Sequence, residues 1–363
     1  MAAADTVLPP LYAKWLEPVL GTVTGEPRST CSKCAMANWP GEEPLDQTFQ
    51  ANVKCCSYQP EIYNFNAGRI LADTNPMGEE SRRVLRKRIA DRVGVTPLSI
   101  LQAPVYRTIY ENAIGAFGNA QFLRCPHYVD KDGGLCGVWA HREAVCTTYF
   151  CKFEHGAMGR IFWRVMTTLL SAIEYSLKMW VVREAGLDEE TQADLWSRQE
   201  LERRGGARQP LDAMTLANTV DPGRYRKDWG NFHGREEELY KRCAEIVEGL
   251  TWDDIARIGG TSVTAAAYTA KHVRDKIEKL EIPEQARLGT MVYFRIRRPG
   301  EVRVHHQGVP LDWLDVPEKV AQNALRFEHG PLRQVVEEMR AEGIPLDDEL
   351  LRKLVEWQVL NKA

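Results

Sequence analysis

The residues in this sequence best suited to chemistry are its cysteines. There are nine, and Cys31, Cys34, Cys55, Cys56, Cys125, Cys136, Cys146 and Cys151 all fall in the first 151 positions, leaving only Cys243 beyond them. Cys31 and Cys34 form a CxxC pair, a spacing at which one tight turn can direct both sulfurs at a single metal centre. Cys55 and Cys56 are adjacent, so from a strand or a helix they would point to different sides and only a turn lets them act together. A second group follows in Cys125, Cys136, Cys146 and Cys151. Only Cys31 and Cys34 have the short knuckle spacing usual for zinc, whereas the scattered remainder suits the separated irons of a [4Fe–4S] cube. Eight thiolates would serve one or two such clusters, with zinc as the alternative occupant.

The surroundings of these cysteines fit a metal centre. Arg124 and Arg142 stand beside the ligand candidates and could donate to sulfur. Trp139, Tyr149, Phe150 and Phe153 could exclude water, and His127, His141 and His155 are near enough in sequence to be neighbours rather than ligands. Cys243 lies on the apolar side of a predicted helix and reads as a buried structural thiol.

The elements that must position these residues read as mostly α. TNPMGEESRRVLRKRIADRVGV has Thr74 or Asn75 as a cap, early acidic residues, later basic ones and Gly94 as a stop. Its RRVLRKR run is most simply a solvated helix face. Helical periodicity runs from Ala157 to about Arg204, broken at Gly186-Leu187-Asp188, and the Pro-, Gly- and Asn-rich stretch from Arg208 to Gly234 reads as a surface connection. Helices resume in REEELYKRCAEIVEGL and TSVTAAAYTAKHVRDKIEKL. Within residues 251–280 the pattern outlines a helix-turn-helix, with Gly260 at the turn and Ser262 as the cap of the second helix, whose face would carry Lys271 and Arg274. Beyond Pro283, a strand, Pro-Gly turn and strand precede three short helices, the outline of a small winged-helix-like module. Three segments result: a cysteine-rich iron–sulfur domain over 1–156, a helical domain over 157–282 and the hairpin-plus-helices module over 283–363.

Composition narrows the function classes. The sequence is 44% hydrophobic and 27% charged with net charge −3, which describes a folded globular chain with no global footprint for nucleic acid. The most apolar stretch, IFWRVMTTLLSAIEYSLKMWVV, contains Arg164, Glu174 and Lys178 and reads as a buried helix rather than a membrane span. The first residues lack a basic-then-apolar leader pattern, so a cytoplasmic setting is expected, where structural disulfides are rare. No dinucleotide-binding, P-loop, nucleophile-elbow, H-E-x-x-H or radical-SAM cysteine signature is present.

The pattern CSKC, NVKCCSYQPEIYNFNAGRIL and CPHYVDKDGGLCGVWAHREAVCTTYFC resembles the CxxCxxCC cysteine-cluster family, described as zinc- or iron-chelating. Cys125-Pro126, Asp132-Gly133-Gly134, Cys136, Trp139, Arg142, Cys146 and Cys151 follow its second half. Two features depart from it: an insertion separates Cys34 from Cys55, and Glu143 stands where proline is frequent. The likeness covers roughly residues 25–155. It implies the same eight cysteines as metal or cluster ligands, and flagellin lysine N-methylases, which have this type of domain, supply a precedent for a modifying enzyme. The expectation is therefore an iron–sulfur protein with a redox, electron-transfer or cluster-dependent modifying role, whose partner is a redox protein or a peptide or protein substrate. A cluster-sensing regulator using residues 251–280 on DNA and a structural zinc protein are the rival classes.

Overall fold

The computed structural model describes residues 8–38, 48–203, 217, 219–309 and 311–363. It is mostly helical, with only short strands. No helix among the described residues is long and apolar enough to cross a membrane. By their contacts the residues form two units, Met1–Gly25 with Cys31–Thr147 and Thr167–Ala266, and Glu26–Thr30 with Thr148–Met166 and Ala267–Ala363. This grouping cuts across the consecutive segments 1–156, 157–282 and 283–363.

In the first unit, the helix Pro10–Leu20 buries Leu11, Tyr12, Trp15, Leu16 and Leu20, a 3.6-period stripe that ends at Gly21 with φ 63°. The helix Asn64–Ala72 packs on Glu236–Glu248, which buries Leu239, Tyr240, Cys243, Ala244 and Val247. Gly68 sets their separation: a Cβ there would lie 1.9 Å from the Tyr240 carbonyl oxygen and 2.9 Å from the Ala244 Cβ. Cys243 is fully buried in this interface, as the sequence suggests.

The charged helix Glu79–Asp91 starts after a 3-10 turn, Pro76–Gly78, whose Met77 N–H donates to the Asn75 side chain at 3.0 Å. Each cation of the RRVLRKR run has a partner within the protein. Arg82 donates to the Asn75 carbonyl, Arg83 pairs with Glu80, Arg86 with Glu237 and Lys87 with Asp91, and Arg88 donates to the Val93 and Leu101 carbonyls. The run is a partnered helix face.

The long helices Gly156–Glu184 and Glu189–Arg203 are broken at the Gly186 turn, where periodicity places the break. Two expectations need correction. Of the connection read over Arg208–Gly234, residues 208–216 and 218 lie outside the described residues. From Pro222 the chain is helical, as Pro222–Trp229 followed by the 3-10 turn Gly230–Phe232, with Tyr225, Trp229 and Phe232 buried. Asp221 accepts from the Arg224 N–H at 2.6 Å, and Pro222 occupies the first helical turn, so Asp-Pro-Gly here is a helix start rather than a loop. In addition, within Trp252–Glu278 two helical segments meet at the non-helical Gly260 (φ 55°, ψ −144°), where the sequence places the turn, and Ser262 lies inside the second segment instead of capping it.

The second unit contains a three-stranded antiparallel sheet, Val292–Arg298, Glu301–His306 and Leu314–Pro317 in that order. Ile296 pairs with Val302, and Gly300 at φ 83° makes the predicted turn. Leu332–Ala341 and Asp348–Glu356 cover the sheet's apolar face, with Val302, Val304, Val316, Phe327, Leu354 and Trp357 in one core. A third strand and the pairing of Ala286–Leu288 with Leu360–Lys362 complete this unit beyond the hairpin and helices read from sequence.

Candidate metal centre

Seven of the eight sequence-predicted ligands belong to the first unit, and nearly all of them sit on turns. Cys31 and Cys34 lie in an irregular segment, Cys55 and Cys56 open the 3-10 turn Cys55–Ser57, and Cys125 follows another, Gln121–Leu123. Cys136 ends the two-residue strand Leu135–Cys136, and Cys146 sits on the five-residue helix Ala144–Thr148.

Backbone bonds draw these segments together. The Cys125 N–H donates to the Cys56 carbonyl at 2.6 Å, the Tyr128 N–H to the Cys125 carbonyl at 3.0 Å, and Tyr128 pairs across the small ladder with Cys136. Turns suit this task because they can aim adjacent thiols, such as Cys55 and Cys56, toward one place.

The seven thiols form one electrostatic neighbourhood. Cys55 acts on Cys34, Cys56 on Cys55, Cys136 and Cys55 on Cys125, Cys31 and Cys55 on Cys136, and Cys125 and Cys136 on Cys146. Burial pushes the Cys136 thiol up to about 11 and the Cys125 thiol up to about 12, and it also raises Cys34. Cys55 is raised first by its hydrogen bond to Cys56 and then by burial, and Cys146 first by burial and then by the Glu143 charge. Without a cation such thiols stay protonated, because each thiolate would be desolvated beside others. None of the nine cysteines is in a disulfide.

Cys151, the eighth candidate, belongs to the second unit. Its Sγ lies 3.1 Å from the Ser29 hydroxyl oxygen, to which its own N–H also donates.

The charged and aromatic neighbours differ in part from those read from sequence. Arg142 favours ionisation of both Cys55 and Cys136, sits 5.0 Å over the Trp139 ring, and has a buried Nε without a hydrogen-bond partner. Arg124 instead lies 4.8 Å over the Tyr128 ring and donates to the Asn52 carbonyl at 3.2 Å. His141 meets Asp73 at 3.0 Å, and His155 of the second unit meets Glu356 at 3.1 Å. His127 is buried, and burial lowers it to about 4, so it is neutral. Phe150 packs on Trp163 at 4.5 Å within the second unit, while Tyr58, Tyr106 and Tyr128 are the aromatics whose hydroxyls feel the first unit's thiols.

Lys54 is the residue that sequence reading passes over. It is 3% exposed, and its ammonium donates to the carbonyls of Cys31, Gly133 and Gly134, the last at 2.9 Å. One side chain thereby joins the CxxC segment, the Cys55–Cys56 turn and the Asp132-Gly133-Gly134 turn before Cys136. Glu143 is a second addition: it accepts from the Val145 and Cys146 N–H groups at 2.6 and 2.7 Å and so starts the helix that presents Cys146. Behind it, buried Glu174 accepts from the Ala144 N–H at 2.9 Å and from the Tyr12 hydroxyl. Burial raises both carboxyls.

Comparison of the chain with family models, with curated proteins and with solved structures finds no match. Its chemistry rests on its own residues.

Seven soft sulfur donors, most of them protonated through burial, with an orphaned guanidinium N–H and a buried ammonium beside them, suit a thiolate-bound metal group. Neither Lys54 nor Arg142 forms an ion pair with a carboxylate among the described residues. No three His, Cys, Asp or Glu side chains among the described residues are drawn into a group set to hold a metal ion. The donor chemistry therefore fits such a group, while the sulfurs neighbour one another without converging.

Proposed function

We propose that this chain binds at least one [4Fe–4S] cluster through Cys31, Cys34, Cys55, Cys56, Cys125, Cys136 and Cys146, and serves a redox, electron-transfer or cluster-dependent modifying role. The observation that carries this reading is the gathering of seven thiols from five separate segments around two cations that no carboxylate pairs with among the described residues. Thiols crowded in this way are unfavourable to ionise alone, and a soft multivalent centre removes that cost. The resemblance of residues 25–155 to the CxxCxxCC family implies these seven and Cys151 as ligands.

A cluster, when bound, supplies single-electron chemistry. The protein's own contribution is to bind and to tune. The raised thiols release protons on loading, Arg142 offers its buried N–H to sulfur, and Tyr58, Tyr106 and Tyr128 limit access of water. On this reading the second unit's sheet and helices form a winged-helix-like module that receives a redox partner or a peptide substrate, in a cytoplasmic setting.

Anaerobic purification with iron, acid-labile sulfide and zinc analysis tests the proposal. It expects about four irons per cluster with matching sulfide, and a marked loss of both in Cys136→Ser but not in Cys243→Ser. Stoichiometric zinc without labile sulfide would replace it with the structural zinc reading, and iron retained in full by Cys136→Ser would remove that residue from the centre.

A further inference from the structure

We propose that Lys54 is the built-in counter-charge of the cysteine centre, a positioning residue that spaces three ligand-bearing segments and raises the centre's reduction potential. This rests on the reading of the seven thiols as cluster ligands.

The charge state follows from geometry. Three carbonyl oxygens, those of Cys31, Gly133 and Gly134, surround Nζ, and three acceptors use three N–H donors, so the group is an ammonium. Carbonyls solvate that charge without neutralising it. No carboxylate pairs with it among the described residues, and the Tyr128 ring centroid is 5.9 Å away. A buried ammonium held this way remains costly unless an anion faces it. The anion that would face it is a thiolate of the segments it joins, which carry Cys31, Cys34, Cys55 and Cys56.

The backbone is built around the same contact. Lys54 adopts φ 57° and ψ −156°, a conformation at which glycine sits without strain and lysine does not. What the position requires is therefore the side chain. Opposite it, Asp132, Gly133 and Gly134 run at φ 50°, 79° and 92°, a left-handed turn that directs two successive carbonyls at Nζ. A Cβ on Gly134 would come within 2.9 Å of Nζ and 1.9 Å of the Tyr128 hydroxyl oxygen. The Asp-Gly-Gly motif is thus the cradle of a lysine rather than an ordinary loop tip. A fixed positive charge beside the sulfurs favours the state with one more electron, which sets the direction of its effect on potential.

The test compares anaerobically loaded full-length protein as wild type, Lys54→Gln and Lys54→Arg. Glutamine keeps two N–H donors for the carbonyls and removes the charge, while arginine keeps the charge. Circular dichroism and iron content are read first, then the midpoint of a dithionite titration followed optically. The expected result is a more negative midpoint in K54Q and a near wild-type midpoint in K54R. A K54Q midpoint equal to wild type overturns the proposal, as does a K54R midpoint displaced as far as that of K54Q. Should K54Q not fold, K54R decides: a folded K54R with the wild-type midpoint supports the charge role, and a K54R that also fails to fold overturns it. A wild type that holds zinc sinks the cluster reading alone, and the charge role is then read from zinc retention against a chelator, which K54Q loses faster than K54R.

Discussion

Gly134→Ala probes the cradle with a single methyl group. Two costs are separable at this position. The first is conformational: Gly134 sits at φ 92°, where an L side chain is strained by about 1–3 kcal/mol. The second is steric, because the new Cβ would lie 1.9 Å from Tyr128 Oη and 2.5 Å from its Cζ, and that ring is held from another side by Arg124 at 4.8 Å. Overpacking of this kind costs about a further 1–3 kcal/mol. Together they amount to about 2–6 kcal/mol, a large share of the roughly 5–15 kcal/mol that holds a domain folded. Gly115 supplies the control, since it has φ 76° and nothing within 4 Å of where a Cβ would stand, so Gly115→Ala carries the first cost without the second. Urea unfolding of the two variants and the wild type, followed by circular dichroism and tryptophan fluorescence, reads the difference. G134A should unfold at clearly lower urea than G115A, and Tyr128→Ala combined with G134A should recover part of the gap. If G134A and G115A unfold together, Gly134 is only a turn glycine, and its contact with Tyr128 and Lys54 has no energetic weight.

Two further outcomes follow from packing and charge. Gly68→Ala should destabilise by about 2 kcal/mol, because its Cβ would meet Tyr240 backbone at 1.9 Å and the helices must part, which outweighs the roughly 1 kcal/mol gained in helix propensity. Gly249→Ala, whose nearest contact is at 3.5 Å with φ −77°, should be close to neutral in the same urea assay, and equal shifts would disprove the close-approach account. The hydrogen bond to Glu356 raises His155 above its ordinary value, so protonation favours the folded state. That contribution is complete below the unfolded value near pH 6.5 and fades as pH rises through the folded one. His155→Gln should therefore cost more stability at about pH 6 than at about pH 8.5, and a loss independent of pH would show that packing alone is at stake.

Much of the helical frame was legible because its signals are local. Asn75, the Gly186 break and the Pro-Gly hairpin turn each act within a few residues of themselves, so sequence suffices to place them. Asp221-Pro222 was misread because cap and turn share residue types, and the buried Tyr225 and Trp229 that decide for helix are recognised only from tertiary packing. The cysteine group was legible by residue type. Its supports were not: Lys54 looks like any surface lysine until the turn at Gly134, 80 positions away, closes over it. Spacing likewise held no sign that Cys151 shares its contacts with Ser29 in the second unit while the other seven keep to the first.

The Met36 carbonyl accepts from the Phe49 N–H at 2.5 Å, and the next residue, Gln50, donates to the Gly118 carbonyl at 2.9 Å. The chain between Cys34 and Cys55 therefore leaves and returns through one pinned neck. A loop closed at its neck can lengthen cheaply, since each doubling adds only about 0.6 kcal/mol of closure entropy. The cost of a longer connection beyond the neck is therefore small beside the contacts that hold the turns bearing the sulfurs. The neck, rather than the count of residues between Cys34 and Cys55, is what fixes where the two cysteine turns stand.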